Sequence, residues 1–149
     1  MTLKRPESVL VVLYNEHKEV LVLQRDDDAD FWQSVTGSLE LNESPVQTAM
    51  REVLEETGID LHHRMFTAQQ IMDCRQVNQY VIREDWRYRY AKNVTTNFEY
   101  VFCAQVPANS DIVLTEHLQF LWLSKTEAIK KVWSNTNKQA IFKFVPDTN

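Results

Sequence analysis

The chain alternates between apolar runs of strand length and one strongly periodic helix. Ser8 to Tyr14 is almost continuously β-branched or aliphatic, the pattern of a strand buried on both faces. A polar turn follows, and Glu19 to Gln24 predicts a second strand. Arg25 to Asp30 is a charged loop, and Phe31 to Val35 predicts a short strand leading to Gly37. From Met65 to Tyr90 the pattern is β-like but irregular. Asn97 to Val106 alternates, with Phe98, Tyr100 and Phe102 on one face, and His117 to Leu123 predicts a further strand.

The clearest element is a helix from Ser44 to Gly58. Ser44 suits the N-cap, Pro45 the first helical position, and Gln47 completes a capping box. Val46, Ala49, Met50, Val53 and Leu54 recur at helical spacing and predict its apolar face. Gly58 suits the left-handed residue that ends a helix. A second capping box, Ser124 to Glu127, opens a C-terminal helical region interrupted near Ser134 to Asn137. These elements predict one mixed α/β domain over residues 1–149, without repeats or linkers.

Composition sharpens this in two places. Among 149 residues there are only two glycines, Gly37 and Gly58, so each is expected to serve a backbone need. The net charge of −5 is concentrated between Gly37 and Asp60, where six acids face the single base Arg51. That concentration points to a cation site more than to an acidic surface. The N-terminus has no signal-peptide core and no run is long enough to span a bilayer, so a cytoplasmic protein is expected. Cys74 and Cys103 look like two isolated, reduced thiols.

At about 100° per residue, Glu52, Glu55 and Glu56 fall on one sector of the helix, opposite its predicted apolar face. The bland reading is a solvated outer face. Yet Glu52 and Glu56 are a repulsive i, i+4 pair, and Glu55 and Glu56 occupy the last turn, where the helix dipole disfavours anions. Arg51, within reach of Glu55 or Glu43, cannot neutralise three acids. A hard divalent cation can, with waters and substrate phosphates completing its shell, and Mg²⁺ is the expected cofactor.

Gly37, Glu43 and the run Arg51-Glu52-Val53-Leu54-Glu55-Glu56-Thr57-Gly58-Ile59 resemble the Nudix hydrolase box at every fixed position, over residues 37–59. The resemblance implies an α/β/α sandwich with a mixed β-sheet and a central loop–helix–loop motif. It implies hydrolysis of a phosphoric anhydride bond by a cation-dependent enzyme. By the same resemblance Glu52 and Glu56 are metal ligands, Arg51 and Glu43 an orienting salt bridge, and Glu55 a further ligand or the general base. Gly37 is then expected to be a hinge that lets the chain leave a strand and pass close to phosphates. Asn42 departs from the glycine common just before Glu43, so that loop is expected to be stiffer.

Further echoes cover most of the chain: Leu23 to Gly37, Thr115 to His117 before Trp122, Trp133 to Asn135, and Gln139 to Ile141. They are similar to a branch of the family that hydrolyses dihydroneopterin triphosphate in folate biosynthesis. This implies Glu116 as a third metal ligand or alternative general base, and Lys4, Arg25, Thr36, Tyr80 and Arg83 as substrate contacts. Tyr80 to Lys92 alternates aromatic and basic residues and predicts a strand able to stack a pterin ring or single-stranded nucleic acid. For Arg87 and Arg89 a solvated face is the simpler reading, and Trp32 reads as core. The alternatives are a pyrophosphohydrolase of dATP or an oxidised deoxynucleoside triphosphate, and a non-catalytic nucleotide- or RNA-binding module. A small-molecule substrate, no membrane, no nucleic acid and a monomer are expected.

Overall fold

The computed structural model describes residues 3–61 and 71–148. The predicted irregular β pattern before residue 71 lies outside them. Among the described residues seven strands form one sheet: β1 (Glu7–Tyr14), β2 (Val20–Arg25), β3 (Trp32–Gln33), β4 (Val35–Ser38), β5 (Met72–Val81), β6 (Thr96–Gln105) and β7 (His117–Leu123). The sheet runs β3-β2-β1-β6-β5, with β4 also paired to β1 and β7 to β2. Strands β1 and β6 are parallel and the other pairs antiparallel, so the sheet is mixed.

The continuous apolar run of β1 is explained by two cores. On one face Val9, Val11, Leu13, Leu21, Leu23 and Phe102 pack under α1 (Pro45–Thr57) through Ala49 and Val53. On the other, Leu10, Val12, Val20, Val22 and Val101 pack under α2 (Lys125–Lys131) and α3 (Asn135–Phe144), through Ala128, Ala140 and Ile141. The layers are helix, sheet, helix pair, as the α/β/α expectation requires. Trp32 belongs to the second core.

Helix α1 has the predicted ends. The Ser44 hydroxyl accepts from Gln47 N, and the Gln47 side chain accepts from Ser44 N at 2.9 Å. Gly58 is left-handed at φ 80°, and its N–H donates to the Leu54 carbonyl at 2.9 Å. A Cβ there would also meet Val113 at 3.2 Å. Gly58→Ala is therefore expected to cost about 1–2 kcal/mol. A denaturant midpoint that falls with an unchanged slope is the check.

The predicted apolar face of α1 is corrected. Val46 and Leu54 are 41% and 46% exposed, whereas Thr48, Ala49, Val53, Glu56 and Thr57 are buried. The helix is rotated so that part of its acidic sector faces inward beside β4. Three other expectations change. Phe31 to Val35 forms two short strands, β3 and β4, with Ser34 between them. The predicted strand from Tyr80 to Lys92 ends at Val81, and Glu84–Arg89 is a 3₁₀ helix. Cys74 and Cys103 are free thiols as expected, but they are neighbours on β5 and β6, close enough to perturb each other, rather than isolated.

Candidate active site

The loop before α1 is tied to the helix through one carboxylate. Glu43 accepts from Thr48 Oγ1 at 2.6 Å, from Glu40 N at 3.0 Å, and from Arg51 Nε and Nη2 at 2.7 and 2.9 Å. Asn42 takes a left-handed φ of 65°, which asparagine tolerates better than most residues, so the loop makes the turn without glycine. Arg51 also donates to Glu52 at 2.5 Å, Glu55 at 3.1 Å and the Ser38 carbonyl at 3.1 Å. It thus reaches both partners considered from sequence and staples the loop, β4 and the acidic turn together.

The Arg51 fork and the Thr48 hydroxyl hold Glu43 down to about 2, although burial opposes them. A depressed carboxyl pKa stabilises the fold above the unfolded value near 4.5, and that contribution is lost as pH falls toward 2. Glu43→Gln is expected to cost about 1–2 kcal/mol at pH 7, the range for a charge-assisted hydrogen bond screened by partial exposure. Denaturation curves of the two proteins should converge between pH 4.5 and about 2.

Gly37 corrects its expected role as a hinge. It lies within β4, opposite Val9, and Gly58 is the one glycine with positive φ. What Gly37 supplies is space: a Cβ there would overlap the Glu52 carboxylate.

Glu56 is 3% exposed. It is hydrogen-bonded to Glu52, while its Oε1 is buried without a hydrogen-bond partner. Burial, the bond to Glu52 and the charges of Glu52 and Glu116 push its carboxyl well above the usual range. Burial also raises Glu52, against the pull of Arg51. Such a pair fits a divalent cation, which would favour both ionised carboxylates and engage the free Oε1. Among the described residues no three potential ligands already converge at coordination distance; Glu52 is held by Arg51.

Glu116 reaches this turn by tertiary tethers. Val113 N donates to the Thr57 carbonyl at 2.8 Å, and Thr115 Oγ1 donates to the Glu55 carbonyl at 2.8 Å. Glu52, Glu55, Glu56 and Glu116 consequently line one cavity of about 1130 Å³, together with Lys4, Arg25 and Thr36. His117 is packed there as well. Its Nε2 lies 3.8 Å from Glu56 Oε1, and burial, then the Arg25 charge, lowers its pKa.

Lys4 is pinned by its backbone: its N–H donates to the Arg89 carbonyl at 2.8 Å. Its ammonium still reaches solvent, but partial burial and the Arg89 and Arg25 charges draw it below the usual range. Arg25 pairs with Asp27 through Nε and Nη2, at 2.7 and 2.6 Å, and its guanidinium lies 4.9 Å from the Trp86 ring centroid. Thr36 Oγ1 accepts from Gln33 Nε2 at 3.2 Å.

A second cavity of about 450 Å³ shares Lys4, Arg25, Thr36 and Arg89 with the first. Tyr80 and Arg83 line this one, apart from the carboxylates. Its aromatic wall is Phe31 stacked on Trp133 at 4.7 Å, with Trp86 tilted against Phe31 at 5.8 Å. Arg83 sits 4.4 Å over Trp86. The tertiary links are Trp133 N to the Trp32 carbonyl, 3.0 Å, and the buried Asn137 amide clamped to Ser34. Sequence reasoning missed Phe31 and Trp133 as pocket residues. It also left Arg89 on a solvated face, whereas the 3₁₀ turn brings Arg89 into both cavities. The echo at Trp133 to Asn135 was the available signal for Trp133.

This fold and loop–helix–loop site define a phosphoanhydride hydrolase class: the chain belongs to the NUDIX family, whose domain matches residues 4–144. Within it, the chain is 48% identical over 145 residues to dihydroneopterin triphosphate diphosphatase of Escherichia coli K12, covering 95% of this chain and 93% of that protein. The Haemophilus influenzae protein of the same name is 42% identical, over 97% of this chain and 90% of its own. The solved structure of the E. coli dihydroneopterin triphosphate pyrophosphohydrolase superposes with a TM-score of 0.89 at 46% identity, covering 97% of this chain and 98% of that one.

Proposed function

We propose that this chain hydrolyses dihydroneopterin triphosphate to dihydroneopterin monophosphate and pyrophosphate, as a single-domain, monomeric, cytoplasmic enzyme of folate biosynthesis using Mg²⁺. The observation that supports it most is the pairing of two adjoining cavities, one acidic with a cationic rim, the other aromatic. A triphosphate and a heteroaromatic ring on one molecule need such a pair. The relatives' names supply the particular substrate.

A divalent cation is general for this class. Glu52, Glu56 and Glu116 would hold it, and when bound it would neutralise phosphate oxygens and acidify water. Arg51, itself fixed by Glu43, orients Glu52 and Glu55. Glu55 and Glu116, both exposed at the cavity, are the candidates to accept the attacking water's proton. Lys4 and Arg25 compensate outer phosphate charge, and Thr36 offers a hydroxyl between the two cavities. Tyr80 and Arg83 contact the ring end. No helix among the described residues is long and apolar enough to cross a membrane. The Trp86 segment closes a cavity as a 3₁₀ turn instead of presenting a flat stacking strand, which favours a small molecule over nucleic acid.

The test is product analysis with dihydroneopterin triphosphate and Mg²⁺, alongside kcat/KM for dATP and an oxidised deoxynucleoside triphosphate. Pyrophosphate, not orthophosphate, is expected. A nucleotide preferred by about tenfold or more would overturn the pterin assignment.

A further inference from the structure

The sheet face under α2 and α3 changes character where the helices stop covering it. Leu10 and Val101 lie opposite each other inside the core, but the preceding pair on the same face is Ser8 and Glu99. The neighbouring strand continues this floor, with Asn78 opposite Glu99 and Tyr80 opposite Asn97. Among the described residues Glu99 is the sole acid lining the second cavity, at 4% exposure.

Among the described residues Glu99 makes no ion pair. It accepts from a neutral donor, Asn78 Nδ2 at 3.2 Å, and the Thr136 hydroxyl side chain lies nearby in the same cavity. A carboxylate has about four lone-pair sites, so these neighbours leave acceptor capacity at the cavity floor. A buried acid without a cation is costly and needs donors to justify it. The aromatic wall of Phe31, Trp133 and Trp86 shapes the cavity for a flat ring.

We infer that Glu99 is the residue that selects the ring, by accepting two parallel hydrogen bonds from an N–H and an adjacent amino group. That donor–donor edge belongs to the 2-amino-4-oxopyrimidine ring that the pterins and guanine share. Adenine presents one donor and one acceptor, so a carboxylate oxygen would face a ring nitrogen lone pair. The assignment rests on the proposed placement of the ring in the second cavity and identifies what reads it. Glu99 acts on substrate choice, remote from the acidic turn.

Two comparisons test it. In Glu99→Gln, kcat/KM for dihydroneopterin triphosphate and dGTP is expected to fall about thirtyfold, while dATP stays within about threefold of wild type or improves, since an amide matches adenine's edge. In the unmodified enzyme, dITP, which lacks the 2-amino group, is expected to be about tenfold poorer than dGTP. This second comparison does not depend on how the variant folds. Equal losses on all substrates together with equal use of dITP and dGTP would overturn the role of Glu99, as would an unchanged pterin rate in the variant. An enzyme that ignores the pterin yet prefers dGTP over dATP and dITP would sink the pterin reading alone.

Discussion

Replacing Glu56 by Gln is expected to lower kcat by about 10³-fold or more in saturating Mg²⁺, equivalent to roughly 4 kcal/mol of transition-state stabilisation. The substitution is nearly isosteric, so no cavity forms at this buried position. The loss is of charge. A neutral amide oxygen in place of the unpartnered carboxylate oxygen of Glu56 would hold a divalent cation beside Glu52 far more weakly. The fold should not suffer, because the native carboxyl already bears the cost of burial among Glu52 and Glu116. Without metal the variant should melt at the wild-type temperature or above it, as expected for a site whose function costs stability. Mg²⁺ at about one hundred times its Kd stabilises a binding-competent protein by about 2.7 kcal/mol, and this gain should be absent in the variant. Near-normal turnover in Glu56→Gln would overturn the metal role, and equal thermal shifts would place the ion elsewhere.

The second large effect is expected from a single methyl group. Gly37→Ala should reduce kcat/KM by about 10²-fold while changing stability by less than about 1 kcal/mol. The backbone at Gly37 is ordinary paired strand, and alanine suits a strand better than glycine by about 0.5–1 kcal/mol. The added Cβ overlaps the Glu52 carboxylate, and a flexible side chain yields more readily than the strand does. Glu52 would therefore leave its place beside Glu56, and the Mg²⁺-induced thermal shift should shrink with the rate. A variant that loses stability but keeps its rate would instead mean that Gly37 serves the backbone.

Much of this was legible along the chain because it is local. The caps of α1, its end at Gly58 and the buried strand from Ser8 to Tyr14 follow from residues within a few positions of one another. Spacing also gathered Glu52, Glu55 and Glu56, since i, i+3 and i+4 positions share a helix sector. The errors came where a local pattern met a tertiary demand. Leu54 fits an apolar stripe yet is exposed, because the helix turns Glu56 inward to face the cavity. Alternation from Trp86 to Tyr90 suggests a strand, but among the described residues the segment gains only an isolated bridge from Tyr90 to Lys4, and Glu84–Arg89 folds as a 3₁₀ turn.

The amino-acid sequence by itself determined which residues carry charge into one short segment, where the central helix begins and ends, and which strands must be buried on both faces. Those properties depend on side-chain chemistry and backbone preference over a few residues. Tertiary structure alone decided that Glu116 joins α1, that Gly37 yields its space to Glu52, and that Phe31, Trp133 and Glu99 share a cavity. Each of these joins positions far apart in the chain. Helical and strand periodicity cannot encode such meetings; the pairing of strands and the docking of helices on the two faces of the sheet bring them about.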